Sequence, residues 1–69
     1  MTYKEVFCKN VKDLRTLNKL SKTKMATKLG ISIRTLNIIE NGELPKRLSL
    51  KIICAIMENF NVNPADLFK

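Results

Sequence analysis

The sequence predicts an all-α domain of five helices. Apolar residues recur at spacings of three and four along most of the chain. No stretch alternates in the strict manner of a half-buried strand. Serine, threonine, asparagine and glycine stand where helices would begin and end. The 69 residues suffice for one domain, residues 1–69, and no more. A chain of this size buries only about 60% of its unfolded surface. Chains of this size often rely on disulfides, metals, tight helix packing or self-association.

The first helix opens at Thr2-Tyr3-Lys4-Glu5, a capping-box pattern that can satisfy free backbone amides. Tyr3, Val6, Phe7, Val11, Leu14 and Leu17 then form its apolar stripe, and it ends near Lys19. Ser21 caps a second helix over residues 22–29, with Met25, Ala26 and Leu29 inward. Gly30 can take the left-handed conformation that stops it. Ser32 caps a third helix over residues 33–40, closed by Asn41-Gly42. Ile31, Leu36 and Ile39 form the buried stripe there, so Arg34, Asn37 and Ile38 point away from the core and Ile33 lies at the flank. Residues 43–48 read as a loop. Ser49 caps a fourth helix through Phe60, with Leu50, Ile53, Ile56, Met57 and Phe60 on its apolar face. Asn61 tolerates a left-handed terminus. Asn63-Pro64-Ala65-Asp66 supplies a cap, a proline at the first helical position and an early acid, starting a short fifth helix that ends at Leu67-Phe68.

The net charge is +7, and its distribution is uneven. Residues 1–20 carry +3, residues 21–31 another +3, residues 32–49 only +1, and residues 50–69 none. This suits a positive face turned to a polyanion and a neutral C-terminal part free for another contact. No apolar run is long enough to span a membrane, and the N-terminus has no signal core, so a cytoplasmic protein is expected. Cys8 and Cys54 read as small buried hydrophobes in a reducing compartment. Two cysteines with no histidine do not compose a zinc site, and no cofactor is implied. With no histidine, no phosphate-cradling loop and no paired carboxylates, the chain is not expected to be an enzyme. Tyr3 and three phenylalanines form no stacking platform for single-stranded RNA.

Two short helices joined through Gly30-Ile31-Ser32 have the helix-turn-helix arrangement, in which the second helix can enter a major groove. The match extends further. Leu14-Arg15 and, slightly offset, Leu20-Ser21 correspond to a Leu-Arg and Leu-Ser pattern. Met25-Ala26, Leu29-Gly30-Ile31-Ser32, Ile39-Glu40-Asn41-Gly42, and then Phe60, Val62 and Leu67 continue it. Over residues 10–68 the chain resembles the lambda repressor and Cro family, the Xre-type regulators.

The resemblance implies sequence-specific binding to duplex DNA, usually as a homodimer on a two-fold operator, and control of transcription. It places Arg34 and Asn37 at base edges, where arginine suits guanine and asparagine suits adenine. Thr35 falls where the family contacts a base or a phosphate. Lys22 stands where the family usually has a phosphate-binding glutamine. Asn41, Lys46 and Arg47 fall in the region that grips the DNA backbone. Arg15 and Glu40 fall where the family has a structural ion pair.

Ile33 and Ile38 replace residues that are usually polar in the family. One reading packs them against thymine methyl groups in an A·T-rich site. A second leaves Ile33 partly buried and Ile38 merely tolerated, and a third turns this helix toward a protein. Phe60, Leu67 and Phe68 offer apolar area for a dimer surface, although completion of the core is the favoured reading for Phe60 and Leu67, which makes Phe68 the better interface candidate. A repressor acting by occupancy is the first expectation, and activation through contact with polymerase stays open. The alternative from another class is a protein-interaction module, such as an antitoxin bound to its toxin.

Overall fold

The computed structural model describes residues 2–45 and 50–69. Among these, four α-helices and one 3-10 helix make up the regular structure. They are α1 (Tyr3–Leu17), α2 (Lys22–Leu29), α3 (Ile33–Glu40), α4 (Leu50–Phe60) and the 3-10 helix Pro64–Phe68. The five-helix expectation is thus corrected at its last member. Five residues that open on a proline provide too few i→i+4 bonds to establish an α-helical turn.

The starts follow from the caps. Thr2 Oγ1 accepts from Glu5 N at 3.2 Å, Ser21 Oγ from Lys24 N at 3.2 Å and Ser32 Oγ from Thr35 N at 3.1 Å. Asn63 Oδ1 accepts from Ala65 N before the 3-10 helix. The ends of α1, α2 and α3 share one device. A residue with positive φ, namely Lys19, Gly30 or Gly42, reverses the chain. Its own N–H donates to the carbonyl three residues back, and the next N–H donates to the carbonyl five back. These are Schellman closures. Lys19, at φ 55, is a non-glycine residue in this role, and this turn stops α1 two residues before the expected point.

The core is Phe7, Cys8, Val11, Met25, Ala26, Leu29, Leu36, Ile39, Ile52, Ile56 and Leu67. α1 packs against α3 and the 3-10 helix, while α2 packs against α3 and α4. Asn10 Nδ2 reaches the Leu67 carbonyl at 2.8 Å and tethers the C-terminal segment to α1. Asn59 Nδ2 donates to the Lys28 carbonyl at 3.1 Å and ties α4 to the end of α2. Phe68 stacks on Phe7 with ring centroids 5.5 Å apart, and Tyr3 meets its edge at 6.3 Å.

Several inward assignments differ from the sequence pattern. Tyr3 and Leu17 on α1 are exposed, and so is Leu50 on α4, whereas Ile52 is buried. The packed stripe is narrower than the apolar stripe, because each helix meets its neighbours over part of its circumference. Cys8 is buried as expected, but Cys54 is exposed. Burial raises the Cys8 thiol above its ordinary value of 9.0; Lys4 opposes this shift and Glu43 adds to it.

Candidate nucleic-acid interface

Helix α3 divides cleanly around its axis. Leu36 and Ile39 are fully buried. Arg34 is exposed, and Ile33 and Ile38 retain 44% and 37% of their surface. Arg34 and Ile38, four residues apart, share the outward side, and Ile33 lies at its flank. The two isoleucines add apolar area to a surface otherwise led by a guanidinium.

The inward side is held by charge as well as by packing. Arg15 Nε donates to Glu40 Oε2 at 2.6 Å, and Nη2 donates to Oε1 at 3.0 Å. Nη1 donates to the Leu20 carbonyl at 3.1 Å. This bidentate pair joins α1, the α1–α2 turn and the last residue of α3. Only 16% of the Arg15 side chain and 5% of the Glu40 side chain remain exposed. The guanidinium fork matches a carboxylate in a fixed geometry, so the pair sets the angle at which α3 leaves the core.

Lys22, the first residue of α2, donates from Nζ to Asn37 Oδ1 at 2.8 Å. This bond brings together two residues assigned separate roles by the sequence, and no spacing rule could have found it. Thr35 Oγ1 lies 3.0 Å from Ser32 Oγ, so this hydroxyl belongs to the capping turn in the free chain. Asn41 is exposed at the C-cap of α3. Lys46, Arg47 and the expected cap Ser49 lie outside the described residues. Among the apolar candidates, Leu67 is buried in the core, the favoured of its two readings, and so is not available to a dimer surface. Phe60 packs partly against the core, and Phe68 keeps an exposed edge.

Electrostatics favour a polyanion on this side. Between Asp13 and Glu40 the chain has Arg15, Lys19, Lys22, Lys24, Lys28 and Arg34 and no acidic residue. Arg15 is spent on Glu40, which leaves the α2–α3 unit strongly positive.

A family model described as helix-turn-helix matches residues 11–67. The chain belongs to the lambda repressor/Cro, or Xre-type, helix-turn-helix family. The matched span starts within α1 and runs through the 3-10 helix, so it covers the whole core and not the hairpin alone. Comparisons with curated proteins and with solved structures yield no match. Membership makes this a DNA-binding domain, with α2 and α3 as its helix-turn-helix. Among the described residues no helix is long and apolar enough to cross a membrane.

Proposed function

We propose that this helix-turn-helix chain is a sequence-specific regulator of transcription that lays α3 in the major groove of a two-fold DNA site, one copy per half-site. The observation that carries this reading is the division of α3. Its inward side is locked by Leu36, Ile39 and the Arg15–Glu40 pair, while Arg34, Ile33 and Ile38 stand free beside a positive α2.

In this reading Arg34 pairs bidentately with a guanine, Ile33 and Ile38 cover thymine methyl groups, and Asn37 lies at a base edge. Thr35 turns from its cap to a base or a phosphate. Lys22, Asn41, Lys46 and Arg47 contribute attraction to the backbone. Regulation follows from occupancy, with repression by blocking a promoter. The exposed edge of Phe68, next to Tyr3, is the apolar contact available to a second copy.

Selection of sites from a random duplex library, at near-physiological salt, tests the proposal. A two-fold motif is expected. An asymmetric half-site would remove the dimer and keep specificity. Absence of any motif, with binding that vanishes as salt rises, would leave only backbone attraction. A second reading, a module that docks on a protein such as a toxin, draws on the exposure of Ile33 and Ile38. Co-purification of a stable partner that competes with DNA would favour it.

A further inference from the structure

Lys22 breaks a local rule. It is the first residue of α2, next to the positive end of the helix dipole, where an acid would stabilise and a cation is unfavourable. No acid stands in that first turn to compensate. A residue that is locally unfavourable is explained by what it contacts, and Lys22 Nζ contacts Asn37 Oδ1 at 2.8 Å.

The chemistry of the contact is one-directional. An ammonium has three donors and no acceptor, so only the oxygen of the Asn37 amide can face it. The bond therefore selects one of the two amide orientations and leaves the Nδ2 donors to lead on the other side. A bidentate bond to adenine also needs Asn37 Oδ1, as acceptor from the adenine N6 amine. That oxygen keeps a second lone pair, but the N6 hydrogens would have to approach the neighbouring ammonium, and this charge disfavours a donor at that edge. Guanine presents two acceptors, O6 and N7, at the same edge. It can receive Nδ2 and is favoured by the ammonium.

We propose that Lys22 is a specificity-positioning residue, turning the Asn37 amide so that this position of α3 reads guanine in preference to adenine. The assignment rests on the reading of α3 as the groove-binding helix, and it replaces the view of Lys22 as a backbone contact alone.

The test uses purified full chain and four duplexes that differ at one base pair of the selected site. That pair is the one whose preference disappears in Asn37→Ala. For the native chain, guanine is expected to be preferred over adenine there by roughly fivefold or more. Lys22→Met keeps the aliphatic stem and removes the donor. It is expected to abolish or invert that ratio, on top of a uniform loss of affinity from the lost charge. In the Asn37→Ala background the same substitution should weaken all four duplexes equally. Equal weakening of all four in the native background, or an adenine preference in the native chain, would overturn the assignment while leaving DNA binding intact. A site in which no preference depends on Asn37 would overturn the assignment as well, and no preference at any position would remove the groove-binding reading itself. A measurement without DNA separates the two further. Lys22→Met should shift the Asn37 side-chain amide resonances in the NMR spectrum of the free chain, and unchanged resonances would show that the bond does not orient Asn37.

Discussion

Helix α3 receives a cation from a neighbouring helix at two places, and the two contacts differ in kind. Arg15 meets Glu40 through two parallel bonds in a water-poor joint and uses its remaining reach on the Leu20 carbonyl. Lys22 meets Asn37 through one bond at an exposed edge. The difference lies in the solvent. Where water is excluded, a charge that loses its partner has nowhere to go, so the pair is part of the fold. Where water reaches, a bond from a lysine adds little to the stability of the fold, so this contact bears on the orientation of Asn37 and not on folding.

The sharpest way to break this comparison is Arg15→Met. It strands the Glu40 carboxylate in its buried position and should cost on the order of 3 kcal/mol. Thermal unfolding by circular dichroism should show a midpoint lower by more than about 10 °C for a domain of this size. A loss below about 1 kcal/mol would mean that the pair behaves as a surface one. Lys22→Met, measured in parallel, should leave the midpoint within a few degrees.

Arg34→Ala probes the outward side. It should remove about 1–3 kcal/mol of discrimination between the selected site and random duplex, with no change in stability. Equal weakening on both duplexes would move Arg34 from base reading to backbone attraction.

A smaller effect is expected at the turn that connects the two sides. Ser32→Ala removes the acceptor for Thr35 N and should cost about 1 kcal/mol, read as a shift in the urea midpoint at constant slope. No shift would mean that water or Thr35 itself satisfies the first turn of α3.

The smallest effect concerns Cys8. Its thiol is raised by burial, so the neutral form is favoured in the fold. The unfolded thiol ionises first as pH rises. The corresponding stability is complete below the ordinary thiol value of 9.0 and is lost at more alkaline pH. The gap in urea midpoint between the native chain and Cys8→Ala should therefore narrow between about pH 7 and pH 10. A gap that stays constant would mean that the thiol feels no burial.

The boundaries of α2 and α3 were legible because their signals are local. Ser21, Ser32 and Gly30 act within one turn of where they stand. The buried status of Leu36 and Ile39 followed from helical period alone. Lys19 was not legible as a left-handed terminus, since nothing in a lysine side chain favours that conformation. Tyr3, Leu17 and Leu50 fit an apolar period as well as any core residue, yet among the described residues they are left exposed.

The sequence by itself determined that this chain is helical, basic on its helix-turn-helix side and a member of the lambda repressor/Cro family, because period, capping and charge are properties of neighbours along the chain. Which apolar residues are covered, the bidentate joint of Arg15 with Glu40 and the meeting of Lys22 with Asn37 all came from the packing of the helices. Those contacts join residues 25 and 15 positions apart. Their geometry depends on how the helices cross, which no local propensity carries.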